Sequence, residues 1–281
     1  MPPALTLPDG RNLALPAMPL VMGIVNMTPD SFSDGGLLAD AGAAIAHGVR
    51  LAAEGAAIVD VGGESTRPGH AAVDAATEMG RVLPVIAGLK AEVDTPISID
   101  SYKAEVAEAA LAAGASIVND VWGAQRDPRI AEVAARAGAP IILMHNREAI
   151  DASLDIFDDV LRFLERSIAI ATEAGVPRSQ IVVDPGIGRF GKTAEQSLRL
   201  IRELDRLGEL GCPILLGASR KSVIGAVTGQ EVPSERVAGS VAAHLWGASH
   251  GAAIVRVHDV APHAQALKVW AALAAGGRGL R

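Results

Sequence analysis

The sequence predicts a parallel (β/α)8 barrel, and three observations carry that prediction. Eight short apolar segments, rich in β-branched residues, recur along the 281 residues, and each reads as a strand buried on both faces. A helical pattern lies between successive segments, and several of these patterns stop at a glycine, the expected residue just past a helix end. Polar and charged residues gather directly after the C-terminal ends of the segments, whereas the N-terminal ends hold mostly glycine, alanine and proline. In a barrel that asymmetry puts all the chemistry at one mouth. A doubly wound open sheet is the alternative architecture.

Residues 1–19 carry Pro8-Asp9-Gly10 and several further prolines, which predicts a short hairpin or arm ahead of the barrel. The strands are predicted at 20–25, 57–61, 96–99, 116–118, 140–144, 181–183, 213–216 and 253–257. Among the helices, 41–54 is alanine-rich and stops at Gly55, 102–113 stops at Gly114, 153–174 stops at Gly175, and 193–209 runs on to Gly211. No low-complexity segment or linker interrupts the pattern, so residues 1–281 are read as a single domain, with the barrel over 20–275.

Composition narrows the function classes. The chain is 49% hydrophobic and only 3% aromatic, with 30 glycines, which suits helices packed closely on a parallel sheet. A net charge of −7 speaks against a general nucleic-acid surface, so an anion site must come from local clustering of basic groups. One cysteine, Cys212, leaves no internal disulfide and fits a reducing compartment. The start, Met1-Pro2-Pro3-Ala4-Leu5-Thr6, lacks the basic segment and apolar run of a signal peptide. No window approaches a membrane-spanning length. A cytoplasmic protein is the expectation.

The segment Ile58-Val59-Asp60-Val61-Gly62-Gly63-Glu64-Ser65-Thr66-Arg67-Pro68-Gly69 shows the pattern at its clearest. A buried strand breaks into glycines, a carboxylate, hydroxyls, an arginine and a proline, presenting polar groups where the backbone can approach a ligand closely. Asp100, Asn119 and Asp184 end the third, fourth and sixth strands. Buried carboxylates need donors, and a flat heterocycle with amino and ring N–H groups would supply them. Taken singly, each is as readily a helix cap or an acceptor for loop backbone. Arg67, Arg220, Lys221, Arg256 and His258 bring positive charge to the same mouth, suited to a carboxylate or a diphosphate. The competing reading is an ion-pair network among loops. Asn26 has the hard oxygen that suits Mg2+, although spacing alone favours a turn-forming side chain. His145 reads as a packed or hydrogen-bonded histidine rather than a metal ligand.

Cys212 precedes a strand, at the wrong end for a nucleophile, and Ser65 and Ser219 have no evident His–Asp relay. Positioning and electrostatics are therefore favoured over covalent catalysis, as in a transfer where diphosphate leaves and a second substrate attacks.

Gly23-Ile24-Val25-Asn26-Met27-Thr28-Pro29-Asp30-Ser31-Phe32-Ser33-Asp34-Gly35-Gly36 resembles the first signature of the dihydropteroate synthase family, and Asp60 to Gly69 resembles its second. Ser98-Ile99-Asp100-Ser101, Val118-Asn119-Asp120-Val121, Leu143-Met144-His145, Gly217-Ala218-Ser219-Arg220-Lys221-Ser222 and Arg256-Val257-His258-Asp259 follow in the family's order. The resemblance implies a barrel that joins a dihydropterin-methyl diphosphate to p-aminobenzoate, giving dihydropteroate and diphosphate in folate biosynthesis. It implies that Asp100, Asn119, Asp184 and Lys221 hold the pterin, with Met144 lining its pocket. Asn26, Arg256 and His258 are implied to hold diphosphate, with Mg2+ at Asn26. Phe32, Thr66, Arg67, Pro68 and Ser222 are implied to shape the aminobenzoate pocket, which sulfonamides also occupy in this family. Phe190 and Gly217 count among the substrate-binding positions, and Lys221, Asp100, Asp184 and Arg256 form the implied catalytic set. A homodimer is implied as well. A catalytically silent pterin-binding paralogue and a pterin-dependent methyltransferase are the alternatives. In the sixth-strand loop Arg189 is an extra residue, giving Gly188-Arg189-Phe190-Gly191-Lys192-Thr193 and shifting Phe190 and Lys192 relative to Asp184. Ser197 stands where the family often has asparagine.

Overall fold

The computed structural model describes residues 3–27, 36–64 and 73–276. The N-terminal residues form an antiparallel hairpin of β1 (Ala4–Thr6) and β2 (Asn12–Ala14), with Leu5 opposite Leu13. Eight strands then close into a barrel. They are β3 (Leu20–Asn26), β4 (Ile58–Gly62), β5 (Ile97–Asp100), β6 (Ile117–Asp120), β7 (Ile141–Met144), β8 (Ile181–Asp184), β9 (Ile214–Leu216) and β10 (Ala252–Val257). The order around the barrel is β10-β3-β4-β5-β6-β7-β8-β9, and every pairing is parallel. All eight predicted strands are present, so the barrel holds and the open sheet is excluded.

The helices are α1 (Gly36–Ala53), α2 (Ala75–Glu92), α3 (Ala104–Ala113), α4 (Arg129–Ala137), α5 (Ile156–Glu173), α6 (Ala194–Arg202), α7 (Ser222–Thr228), α8 (Val237–Ser249) and α9 (Val260–Ala274). Several helix bounds differ from the sequence reading, α1 beginning at Gly36 instead of 41 and α3 at Ala104 instead of 102. The helix expected from 153 begins at Ile156 because the Asp155 carboxylate caps it, accepting from the Phe157 and Asp158 amides. The helix expected over 193–209 is split. Thr193 and Gln196 form a capping box at the start of α6, which ends at Arg202, and Leu204–Leu210 continues as a 3-10 helix. Glu203 leaves helical geometry at the break and pairs with Arg199, Arg202 and Arg206.

Side chains alternate along each strand, which divides the apolar residues into two cores. One lies between strands and helices, with Val59, Val61, Ile99, Leu143 and Val255 among its members. The other fills the barrel floor with Met22, Ile58, Ile117, Ile142, Val182, Leu215 and Ile254. The N-terminal segment closes this floor: Leu5, Leu7 and Leu15 pack in the same cluster, and Leu5 is fully buried, a burial worth about 1.5–3 kcal/mol for such a side chain.

Two residues further along, the same inward row turns polar on four strands and carries glycine on a fifth. Ile58 is followed by Asp60, Ile117 by Asn119, Val182 by Asp184, Leu215 by Gly217 and Ile254 by Arg256. Asp100 joins the row through its register with Asn119. The strands thus deliver an apolar floor and a charged mouth from one period-two pattern.

Candidate active site

Arg256, on β10, is the hub of the mouth. Its Nε donates to Asp60 Oδ2 at 2.7 Å and its Nη2 to Asp100 Oδ2 at 2.6 Å. Asn119 Nδ2 donates to the same Asp60 oxygen at 3.2 Å, which leaves the Asn119 carbonyl as an acceptor. Asp60 is 0% exposed, and its Oδ1 has no partner among the described residues. Such a carboxylate survives only beside a cation. Burial works against charge on Arg256, but Asp60 and Asp100 more than offset it and hold the guanidinium above its ordinary range. Burial pushes the Asp100 carboxyl up to about 7, against the pull of Arg256.

Asp184 ends β8 and accepts the Gly186 amide at 2.7 Å. Burial raises its pKa, opposed first by the nearby Lys221 ammonium. Lys221 sits at the N-cap of α7, and burial pulls its ammonium down to about 8, opposed by Asp184. Gly217 is the meeting point of these groups. A Cβ there would lie 3.7 Å from Lys221 Nζ and 3.8 Å from both Asp184 Oδ2 and the Arg256 Cβ. Asp100, Asp184, Lys221 and Arg256 therefore converge, with Asn119 beside them.

The sixth-strand loop absorbs its extra residue by extruding it. Gly188 and Gly191 take positive φ, 100° and 69°, a region open to glycine. Arg189 is exposed while Lys192 is buried. Phe190 returns to the site, its ring centroid 4.9 Å from Lys221 Nζ in cation–π geometry. Met144 is buried at the end of β7, and Ser222 is the first residue of α7.

His258 follows β10. The Ser219 hydroxyl accepts its backbone N–H at 3.1 Å and lies 3.0 Å from its Nδ1. Burial, then Arg256 and Arg220, pulls the imidazole down to about 3, so it is neutral. Arg220 does not join the free positive charge of the mouth. It is held by Asp259, Nε to Oδ2 at 2.9 Å and Nη2 to Oδ1 at 2.5 Å, so the ion-pair reading holds for this arginine. Asp120 likewise turns from the barrel to its own loop, accepting the Trp122 and Ala124 amides at 2.7 and 2.6 Å.

The stem of the loop after β4 is braced. Lys103 pairs with both Glu64 and Glu78, and Arg81 Nη1 donates to the Gly63 carbonyl at 2.7 Å. Thr66, Arg67 and Pro68, and Phe32 of the loop after β3, lie outside the described residues. Asn26 ends β3 in register with Gly62, at the mouth edge. No group of three or more His, Cys, Asp or Glu able to hold a metal occurs among the described residues. Asn26 brings one neutral hard oxygen, a donor that fits Mg2+ arriving with the phosphate and water ligands it prefers.

Three residues of the site carried no role in the sequence reading. Asp60 was legible as a charge inside an otherwise apolar strand, a position that demands a buried cation. Ser219 and Lys192 gave no signal from spacing, because their roles depend on which loops pack together.

Residues 22–258 match the family described as pterin binding enzymes. The Clostridium beijerinckii dihydropteroate synthase is 48% identical over 250 residues, covering 89% of this chain and 92% of that protein. A solved structure of the Xanthomonas albilineans dihydropteroate synthase with 4-aminobenzoic acid superposes with a TM-score of 0.93 at 49% identity, over 98% of this chain and 99% of that one. The same organism's dihydropteroate synthase in complex with 7,8-dihydropteroate gives a TM-score of 0.89 at 47% identity, over 97% of this chain and 99% of that one.

Proposed function

The chain belongs to the pterin binding enzyme family, and within it we propose that it is a dihydropteroate synthase. It is a transferase that condenses (7,8-dihydropterin-6-yl)methyl diphosphate with p-aminobenzoate to give 7,8-dihydropteroate and diphosphate. The observation that carries this reading is the convergence of Asp184, Lys221 and Arg256 around Gly217, with Asp100 held by Arg256.

In this reading the carboxylates of Asp100 and Asp184 and the free carbonyl of Asn119 accept the amino and ring N–H groups of the pterin. Phe190 and Met144 flank the ring. Arg256 and the neutral His258 bind diphosphate. The C–O bond between the pterin methylene and diphosphate breaks, its electron pair leaving with diphosphate. The aminobenzoate nitrogen lone pair forms the new C–N bond, and that nitrogen sheds one proton. Carboxylates around the pterin stabilise cationic charge developing on the ring and methylene, and cations around diphosphate stabilise the leaving group. The nucleophile is already neutral, so no strong base is required. Asn26 would hold Mg2+, which when bound neutralises charge on the diphosphate oxygens. Phe32, Thr66, Arg67, Pro68 and Ser222 are assigned to the aminobenzoate pocket, where sulfonamides would compete.

A homodimer working in the cytoplasm completes the proposal. The lone Cys212 is buried and unpaired, in keeping with a reducing compartment, and no helix among the described residues is long and apolar enough to cross a membrane. Light scattering tests the dimer, a monomer mass at micromolar concentration counting against it. The activity is tested by diphosphate release with Mg2+, with and without p-aminobenzoate. Release coupled to dihydropteroate formation is expected, and pterin binding without product would indicate a silent paralogue.

A further inference from the structure

Lys192 is enclosed, 3% exposed, yet the reaction as derived gives it no task. Its Nζ lies 2.7 Å from His145 Nδ1, 3.2 Å from the Phe190 carbonyl oxygen and 3.5 Å from the His145 carbonyl oxygen. Three acceptors match the three N–H bonds of an ammonium; a neutral amine would turn a lone pair towards one of them. His145 is fixed to receive this donor. Its Nε2 is 3.0 Å from Asp159 Oδ2, which also accepts Arg147 Nη1 at 2.8 Å. A carboxylate on Nε2 requires the proton there, so Nδ1 carries the lone pair. The result is an ordered chain from Lys192 through His145 to Asp159.

The chain ties two loops of the mouth together. His145 directly follows Met144 at the end of β7, while Phe190 belongs to the loop after β8 and carries Lys221 over its ring. Between them sits Gly186, with φ +67°. A Cβ there would lie 3.2 Å from Lys192 Nζ and 2.0 Å from the His145 oxygen, and the Gly186 amide is the donor to Asp184. Lys192 thus lies behind the Gly186 backbone that donates to Asp184, and after Lys221, the Gly186 amide and Arg256 it adds to the field that holds this carboxyl down against burial. Burial pulls the Lys192 amine down to about 7, opposed first by Asp184, so the ammonium is populated at and below neutral pH; the charged and titratable groups facing it are Asp184, Lys221, Asp159, Arg147 and His145.

We propose that Lys192 is a positioning residue for the pterin site, its buried ammonium aligning Phe190 and keeping Asp184 anionic without touching substrate. The proposal rests on the synthase reading for the identity of the ligand, but not for the chain of hydrogen bonds.

The variant Lys192→Met keeps the length and apolar stem of the side chain. Calorimetry with the pterin diphosphate should give affinity lowered by about tenfold, or ~1.4 kcal/mol, with the KM for p-aminobenzoate within about twofold. The loss should deepen as pH falls, because Asp184 without this cation takes up a proton at higher pH. Unchanged pterin affinity, or equal losses for both substrates with no pH dependence, would overturn the proposal. A measurement on the wild-type protein guards against a variant that fails to fold. Nitrogen-15 NMR of His145 should show a neutral ring protonated on Nε2, with Nδ1 accepting; a proton on Nδ1 would overturn the proposal by itself. Wild-type protein that binds no pterin would overturn the synthase reading and this inference with it, whereas wild-type binding with an indifferent Lys192→Met overturns the inference alone.

Discussion

Replacing Asp60 by asparagine isolates the charge that aims Arg256. Asp60 Oδ2 accepts Arg256 Nε at 2.7 Å and Asn119 Nδ2 at 3.2 Å from a fully buried position. Asparagine preserves the shape and one acceptor oxygen but removes the charge. Removing one partner of a buried pair costs about 3–5 kcal/mol when the other charge is left alone. Here Asp100 remains bonded to Arg256 Nη2, so the loss should approach that of a single charge-assisted hydrogen bond, about 1.5–3 kcal/mol. At roughly 2–4 °C per kcal/mol for a chain of this size, the melting temperature should fall by about 3–12 °C. The guanidinium, left with Asp100 as its carboxylate partner among the described residues, should swing towards it. The kcat/KM for the pterin diphosphate should then drop about tenfold or more, since misplacing a catalytic group by an ångström can cost two orders of magnitude. Thermal unfolding and steady-state kinetics on purified Asp60→Asn make the comparison. Wild-type stability together with wild-type kcat/KM would refute the view that Asp60 neutralises and aims Arg256.

Three further outcomes are expected. Lys221→Ala should lower turnover by about 10²–10³-fold with little change in melting temperature, because a partly buried cation is removed from the mouth and not from the core; a stable, fully active variant would remove Lys221 from the catalytic set. The pH profile of kcat/KM for the pterin diphosphate should be a narrow bell. Asp100, raised to about 7 by burial, is protonated and weakened as an acceptor as pH falls below that value; Lys221, lowered to about 8 by burial, loses its charge as pH rises past that value. A flat profile from about pH 5 to about pH 10 would contradict both assignments. Gly186→Ala places a Cβ 2.0 Å from the His145 carbonyl oxygen at φ +67°, which should cost about 3 kcal/mol or more and displace the donor to Asp184; unaltered stability in denaturant titration would show that the loop relaxes freely.

The barrel was legible because its strands read as apolar runs and several of them end on a polar residue. Asp184 after Ile181-Val182-Val183 and Asn119 after Ile117-Val118 are placed by that pattern alone. Arg256 and Lys221 were legible in the same way, since a barrel brings all strand ends to one mouth. Three matters were beyond the sequence. The split after α6 depends on Glu203 gathering three arginines, a tertiary choice that overrides helical periodicity. The pairing of Arg220 with Asp259 depends on the loop after β9 lying against the start of α9, which no spacing encodes. The extra residue Arg189 displaces Phe190 only in sequence: two glycines at positive φ extrude the arginine and return the ring to Lys221.

Calorimetric titration of Asp184→Asn with the pterin diphosphate and, separately, with p-aminobenzoate bears most directly on the assignment of the charged mouth to the pterin. Asp184 is buried, ends β8 and stands among Lys221, Gly217 and Arg256, so neutralising it removes an anionic acceptor from the ring and nothing from the second substrate. Pterin affinity lowered by about one to two orders of magnitude, with aminobenzoate binding to the preformed pterin complex unchanged, is the expected result. Pterin affinity equal to that of the wild-type protein would contradict it.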